Sequence, residues 1–210
     1  MSLQAKICGL KKKIEVETAI KYEAAFCGFI LNWPKSHRHI SFAEAKSLIS
    51  VNRFNSSFVG VLVNPDDKEI KLFDELDLQY FQLHGEESVE RINEIKNFTK
   101  KKIIKTIKVK TKEDLDIYKS YKSLADIILF DSTGFEKSEG FDHSLLKKLD
   151  KKENRWMIAG GIKIEDLENV SKIADYVDVS GSLEKNKRKD LNKIKEFLLK
   201  VKEINENRTL

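Results

Sequence analysis

The sequence predicts an α/β fold, a single (β/α)8 barrel of the TIM type that spans residues 1–210. Short apolar runs alternate with longer amphipathic stretches along the chain, which is the pattern of parallel strands joined by helical crossovers. Eight of each can be counted, and no Pro- or Ser-rich linker separates them. A length of 210 residues suits one domain and lies at the lower end of the range for a complete eightfold barrel.

Each predicted element is bounded by its hydrophobic pattern. The strands are Ala5–Gly9, Phe26–Leu31, Phe58–Asn64, Tyr80–Gly85, Lys102–Val109, Asp126–Asp131, Arg155–Gly161 and Tyr176–Ser180. The helices are Val16–Ala24, Phe42–Ser50, Lys68–Leu76, Val89–Phe98, Lys112–Ser123, His143–Leu149, Ile164–Ile173 and Leu191–Ile204. Ser41, Thr111 and Asp190 stand where helix caps are expected. An open doubly wound sheet is the main alternative, but eight units in so short a chain favour closure.

The composition indicates a soluble globular protein, with 40% hydrophobic and 35% charged residues. The N-terminal residues lack the features of a signal peptide, and no apolar stretch approaches about 18 residues. We therefore expect a cytoplasmic protein with no membrane partner. Cys8 and Cys27 are too few for a disulfide framework and should stay reduced.

The net charge of +5 comes mostly from lysines scattered through the predicted helices. Runs such as residues 11–13 and 100–102 lack interleaved aromatic residues and any recognition motif, so we expect no nucleic-acid partner. His37 and His39 have no surrounding cluster of carboxylates or histidines that would complete a coordination set, so we expect no metal.

In such barrels the active site lies at the carboxyl ends of the strands, so the polar residues that close each strand are the candidates. In chain order they are Cys8, Gly9, Asn32 with the loop Trp33–Ile40, Asn64, Gln82, His84, Asp131, Gly160, Gly161, Ser180, Gly181 and Ser182.

Several of these strand ends resemble one family, the phosphoribosylanthranilate isomerases. The matching segments are Lys6-Ile7-Cys8-Gly9, Pro34 to Ser41, Val59 to Asn64, Gln82-Leu83-His84-Gly85-Glu86, Phe141-Asp142, Ala159-Gly160-Gly161-Ile162, Val177-Asp178-Val179-Ser180 and Lys189-Asp190. Each segment alone is weak evidence for the family. Their common order, from residue 6 to residue 190, makes the resemblance specific and extends it over nearly the whole chain.

The resemblance implies a cofactor-free aldose–ketose isomerase of tryptophan biosynthesis, acting on a small phosphosugar attached to anthranilate. Its Amadori rearrangement needs a general acid and a general base. By the family pattern Cys8 is the base and Asp131 is the acid. A carboxylic acid that donates a proton near neutral pH has a raised pKa, which implies an apolar or anionic setting for Asp131.

The resemblance also implies substrate-binding residues. Arg38 resembles the family arginine that holds the anthranilate carboxylate, for which a planar fork is well suited. Gln82 and His84 are two residues apart and share a strand face, so both can point into the mouth. The phosphate is expected at the loops after strands seven and eight, which often present backbone N–H groups. The residues there are Gly160, Gly161, Ser180, Gly181 and Ser182.

The sequence departs from the family in two places. The loop from Ser132 to Gly140 is poor in glycine and is followed by His143 where the family has tryptophan, and Ser-Gly-Ser replaces the commoner Ser-Ser-Gly order at residue 180. Alternatives therefore stay open. They are another phosphate-binding barrel enzyme, including an isomerase that accepts two aminoaldoses, and a noncatalytic barrel binding module. Either a monomer or a homodimer is compatible with the sequence.

Strand alternation also predicts an ion pair beneath the site. Lys6 is two residues before Cys8, so both side chains point into the barrel if one does. Asp178 precedes Ser180 by two residues on the last strand, which lies beside the first in a closed barrel. We expect Lys6 and Asp178 to pair, and the ammonium group to favour the thiolate of Cys8.

Overall fold

The computed structural model describes residues 2–132, 143–148 and 155–208. Among these residues eight parallel strands close a barrel in chain order. The ring is completed where the last strand pairs with the first, in a register that places Lys6 opposite Asp178. The predicted barrel is therefore confirmed, and the open doubly wound sheet is wrong.

The strands and helices follow the predicted order. The strands are β1 Gln4–Cys8, β2 Phe26–Ile30, β3 Ser57–Leu62, β4 Tyr80–Leu83, β5 Lys102–Val109, β6 Ile127–Ser132, β7 Arg155–Ile158 and β8 Tyr176–Val179, followed by a short hairpin of β9 Glu184–Lys185 and β10 Arg188–Lys189. The helices are α1 Lys13–Lys21, α2 Phe42–Leu48, α3 Asp67–Asp74, α4 Val89–Phe98, α5 Tyr118–Tyr121, α6 Leu167–Ser171 and α7 Leu191–Glu206. No helix within the described ranges is both long and apolar enough to cross a membrane.

Two of the predicted helix caps are confirmed. The Ser41 hydroxyl accepts the backbone N–H of Glu44 while the Glu44 carboxylate accepts the N–H of Ser41, and Asp190 caps α7. Thr111 does not cap a helix. Instead the Asp114 carboxylate accepts the N–H groups of Lys110 and Thr111.

Three crossovers are less regular than predicted. Lys112–Ser123 forms the 3-10 turn Glu113–Ile117 followed by α5. Ile164–Ile173 begins as the 3-10 turn Ile164–Asp166 before α6, and the sixth crossover is a 3-10 helix over His143–Lys148, with residue 149 outside the described residues. Two of these crossovers begin with an aspartate that accepts backbone N–H groups from three or four residues earlier. Asp114 does so in the fifth crossover and Asp166 in the seventh, which tightens the first turn of each.

The barrel interior is closed at its amino-terminal end by aromatic rings. Phe26 lies edge-to-face against Tyr80 and Tyr176, with ring centroids 5.4 and 5.2 Å apart. These are the first residues of their strands, and the apolar interior core continues upward from them. It comprises Phe26, Val59, Ile104, Ile127, Leu129, Met157, Ala159 and Tyr176. Apolar side chains therefore form the lower part of the barrel interior.

We predict that Phe26→Ala lowers the free energy of unfolding by about 3–4 kcal/mol, because truncation leaves a cavity between two rings that cannot collapse onto it. Denaturant unfolding measures the change. Phe98→Ala is the control, since Phe98 is 48% exposed on α4 and should cost less than about 1 kcal/mol. Equal losses for the two variants would contradict this account of the core.

Candidate active site

A cavity of about 1030 Å³ opens at the carboxyl ends of the strands. All ten residues predicted for the site line it, which brings together side chains from β1, β4, β6 and four loops. They are Cys8, Arg38, Gln82, His84, Asp131, Gly160, Gly161, Ser180, Gly181 and Ser182. A second cavity of about 1040 Å³ at the opposite end of the barrel contains none of them.

Cys8 ends β1 directly above a buried ion pair. Lys6 Nζ lies 2.9 Å from Asp178 Oδ2, and Lys6 is fully buried. The predicted pair is therefore confirmed, and it follows from the strand register that sets the two residues opposite each other. Charged groups in a barrel interior need such a partner, because an isolated ammonium group would lose its hydration without compensation.

Gly28 on β2 makes room for this arrangement and was not predicted from the sequence. A Cβ atom on residue 28 would lie 3.0 Å from Cys8 Sγ and 3.1 Å from Lys6 Nζ. Gly28 is also the register partner of Cys8. A glycine within the strand Phe26–Ile30 is the signal that could have indicated a close approach at this position.

The thiol of Cys8 is subject to opposing influences. Burial raises the pKa of Cys8, the Lys6 ammonium lowers it, and Asp178 raises it, so that the pKa stays above its ordinary value. The expected effect of Lys6 has the predicted sign, but desolvation outweighs it. Lys6 itself remains charged, because burial lowers its pKa but Asp178 and Cys8 together raise it above the ordinary value.

Asp131 has the environment expected of a general acid. Burial raises the pKa of Asp131 to about 7, and the nearby Asp178 carboxylate adds to the rise, against opposing contributions from the Ser132 N–H, Lys6 and Lys108. A carboxyl group with this pKa is about half protonated at neutral pH, whereas an ordinary aspartate is almost fully ionised.

His84 and Gln82 form a hydrogen-bonded line beside Asp131. Gln82 Nε2 donates to His84 Nδ1 at 3.1 Å and lies 3.3 Å from Thr106 Oγ1. Burial and nearby lysines lower the pKa of His84 to about 3, so the ring is neutral. Because Nδ1 accepts a hydrogen bond, the ring proton resides on Nε2, which lies 3.7 Å from Asp131 Oδ2.

Arg38 is held by a carboxylate that the sequence did not lead us to expect. Its Nε and Nη2 atoms donate to Glu184 at 2.6 and 3.1 Å, and Glu184 also accepts from Lys189 at 2.7 Å. His37 Nε2 lies 3.0 Å from the same carboxylate. Burial tends to raise the pKa of Glu184, but Arg38 and Lys189 lower it to about 2, so the group is ionised.

The region expected to bind phosphate is rich in backbone donors. Gly160 and Gly161 have φ angles of 97° and 67°, and their N–H groups meet no acceptor among the residues that the structure describes. A Cβ atom on Gly160 would lie 2.9 Å from Ser132 Oγ, so only glycine fits there without rearrangement. Lys163 lines the same part of the cavity and adds a cation that the sequence reasoning missed.

The Ser180 side chain has a structural contact that the sequence did not predict. Its hydroxyl donates to the Cys8 carbonyl at 3.0 Å and accepts from Lys189 Nζ at 3.1 Å. These bonds tie the end of β8 to the end of β1. The 3-10 turn Gly181–Leu183 follows directly and places Gly181 and Ser182 at the cavity.

No group of three or more histidine, cysteine, aspartate or glutamate side chains among the described residues is arranged to hold a metal ion. The glycine-poor loop lies outside those residues from 133 to 140, as do Phe141 and Asp142, while Ser132 ends β6.

Comparison with known proteins shows the family to which the chain belongs. A profile of the N-(5'-phosphoribosyl)anthranilate isomerase family matches residues 5–200. The N-(5'-phosphoribosyl)anthranilate isomerase of Thermoanaerobacter pseudethanolicus is 34% identical over 209 residues, covering 96% of this chain and 99% of its own length. The chain belongs to the phosphoribosylanthranilate isomerase family.

Two solved structures agree with family membership. A phosphoribosylanthranilate isomerase in complex with reduced 1-(o-carboxyphenylamino)-1-deoxyribulose 5-phosphate is 27% identical, with a TM-score of 0.83 and coverage of 96% of this chain and 99% of that one. Monomers generated from the dimeric isomerase of Thermotoga maritima are 26% identical, with a TM-score of 0.84 and the same coverage. Membership of this isomerase family makes the chain an enzyme and disfavours the noncatalytic binding module.

We predict that Lys6→Met raises the apparent pKa of Cys8 further, because it removes the cation that lowers it. The pH dependence of thiol alkylation measures the shift. Cys27 does not interfere, since burial raises its pKa to about 12. Lys105→Met is the matched control, because it breaks another buried pair, Lys105–Glu87 at 2.6 Å, without removing a charge that acts on Cys8. An unchanged Cys8 pKa in folded Lys6→Met protein would reduce the Lys6–Asp178 pair to a packing feature.

Proposed function

We propose that the chain converts N-(5'-phosphoribosyl)anthranilate into 1-(2-carboxyphenylamino)-1-deoxyribulose 5-phosphate, the Amadori rearrangement of tryptophan biosynthesis. The observation that carries the proposal is the pairing of a thiol and a carboxyl group of unusual pKa in one cavity. Cys8 and Asp131 both line it, and Asp131 has a pKa near 7. Acid–base chemistry of this kind needs two groups in opposite protonation states.

Asp131 is the general acid in this proposal. Its protonated carboxyl group donates to the ribose ring oxygen, the bond from that oxygen to C1' breaks, and the anthranilate nitrogen supplies the electron pair that forms the Schiff base. The ring of His84 is neutral, and its Nε2 lies 3.7 Å from Asp131 Oδ2, which is beyond hydrogen-bonding distance. His84 therefore adds no positive charge beside the carboxyl group.

Cys8 is the general base. Its thiolate removes the C2' proton of the Schiff base, and the electron pair of the C–H bond moves to give an enolamine, which tautomerises to the ketone. Lys6 beneath the sulfur stabilises the thiolate. In the tautomerisation a proton adds to C1' and the 2'-hydroxyl proton leaves. The substrate thus gains two protons and loses two, and Cys8 and Asp131 return to their starting protonation states.

The remaining lining supports a position for each part of the substrate. Apolar side chains from β2, β3 and their following loops, Ile30, Trp33, Val61 and Val63, offer a wall for the aromatic ring. Arg38 is the proposed partner of the anthranilate carboxylate. The N–H groups of Gly160 and Gly161, together with the turn at Ser180, Gly181 and Ser182, are the proposed phosphate site.

We further propose that residues 1–210 form one domain, because the barrel uses strands from residue 4 to residue 179 and the C-terminal α7 packs on α1 and β1. The oligomeric state, monomer or homodimer, stays a prediction that sedimentation analysis decides.

We predict that Cys8→Ala and Asp131→Asn each lower kcat by about 10²–10⁴-fold, because each removes one half of the acid–base pair. Loss of the anthranilate-linked substrate's fluorescence signal measures turnover. Cys27→Ala and Asp126→Asn are matched controls, since neither residue lines the cavity, and both should retain turnover. Wild-type rates in a folded Cys8 or Asp131 variant would refute that assignment, and turnover of the histidine-pathway aminoaldose would show a second substrate.

A further inference from the structure

The hairpin after β8 carries a side-chain cluster whose use the acid–base mechanism leaves open. Glu184 on β9 and Lys189 on β10 are register partners, and Lys189 Nζ lies 2.7 Å from Glu184 Oε1. Both side chains are nearly buried, at 10% and 2% exposed. The cluster lies beside Arg38, which Glu184 contacts through both carboxylate oxygens.

Arg38 is confined along its whole length. A Cβ atom on Gly9 would lie 2.6 Å from Arg38 Cδ, so the aliphatic stem crosses residue 9 where only glycine leaves room. The guanidinium Nη2 passes 3.4 Å from the position of a Cβ on Gly181. Glu184 then holds the Nε and Nη2 edge, which leaves little rotational freedom to the fork.

The contact with Glu184 uses only some of the hydrogen-bond donors of the guanidinium group. An arginine has five N–H donors, of which Glu184 takes one from Nε and one from Nη2. The second Nη2 donor and both Nη1 donors have no acceptor among the residues that the structure describes. Two of these three, the remaining Nη2 donor and one Nη1 donor, lie on the end of the fork, which is the edge that can receive a second carboxylate in a bidentate manner.

Glu184 is too firmly bound to give way to a ligand carboxylate. Arg38 and Lys189 each place a positive charge beside the Glu184 carboxylate, and His37 makes a third contact with it. Two cations and one anion leave the group of Arg38, Lys189 and Glu184 with a positive charge. The cluster therefore still attracts a carboxylate while its internal geometry is preserved.

We propose that Glu184 is a positioning residue that holds Arg38 by the edge formed by Nε and Nη2. The other edge, formed by Nη1 and Nη2, is thereby presented to the carboxylate of the substrate's anthranilate group. This inference rests on the proposed function and adds to it the residue that sets carboxylate specificity. Glu184 touches neither the reacting carbons nor the acid–base pair in this role.

The test compares Glu184→Gln with the wild-type protein. Glutamine keeps the shape and one acceptor oxygen but loses the charge and the bidentate grip, so KM for N-(5'-phosphoribosyl)anthranilate should rise about 10-fold while kcat changes less than about 3-fold. The corresponding substrate without the carboxylate, N-(5'-phosphoribosyl)aniline, should show the same kcat/KM with both proteins. Glu94→Gln, which alters an exposed Arg91–Glu94 pair on α4, is the control and should change neither value.

Two further variants separate positioning from a structural role. In an Arg38→Ala background, Glu184→Gln should change KM by less than about 2-fold, since the residue it positions is gone. Glu184→Asp keeps the charge and withdraws the carboxylate by about one bond length, so it should raise KM even if Glu184→Gln does not fold. A KM penalty that is the same for both substrates, or that persists without Arg38, would overturn the inference and leave Glu184 a structural residue.

The outcomes distinguish this inference from the function on which it rests. Wild-type protein that fails to convert N-(5'-phosphoribosyl)anthranilate would overturn the proposed function. Normal conversion with an unchanged KM in folded Glu184→Gln and Glu184→Asp would overturn only the role of Glu184. If Arg38→Ala lowered kcat/KM equally for both substrates, Arg38 would contact another part of the substrate, such as the phosphate. That result would overturn the inference as well.

Discussion

The arrangement of the site depends on one buried ion pair, Lys6–Asp178, at the seam where the barrel closes. Each charge alone would be costly in the interior, and the register of β1 against β8 sets the two opposite each other. Gly28 leaves the space that the ammonium group and the Cys8 sulfur occupy. Ser180 completes the seam one layer higher through its bond to the Cys8 carbonyl. The position of the thiol is therefore set by backbone closure and by the charges below it.

The two members of the pair act with opposite signs, and each shifts the pKa of both reactive groups in the same direction. Asp178 raises the pKa of both Cys8 and Asp131, and Lys6 lowers both, while burial raises both more strongly. At neutral pH the thiol is mostly protonated and Asp131 titrates. The form that holds a thiolate together with a carboxylic acid is then a minor one, in which the thiolate is a strong base.

The residues that could be predicted from the sequence are those governed by strand periodicity. A two-residue repeat placed Cys8 above Lys6, Gln82 beside His84, and Asp178 opposite Lys6, and the structure brings all of them to one end of the barrel. Glu184 was not predicted because its contact joins β9 to Arg38 in the loop after β2, 146 residues away, and no periodicity relates the two positions. The irregular crossovers were not predicted because local aspartate side chains compete for backbone N–H groups. A hydrophobic pattern does not reveal this competition.

The most direct test of this account is the protonation of Asp131 in the folded protein. Carbon-13 NMR of carboxyl-labelled aspartate can follow it, with the signal assigned by its loss in Asp131→Asn. We predict a midpoint near pH 7 in the wild-type protein and a lower midpoint in Asp178→Asn, because that variant removes a carboxylate that raises the pKa and frees Lys6 to lower it. Titration of Asp131 near its ordinary value of about 3.9, or a midpoint indifferent to Asp178, would contradict the assignment of Asp131 as the general acid under the control of the Lys6–Asp178 pair.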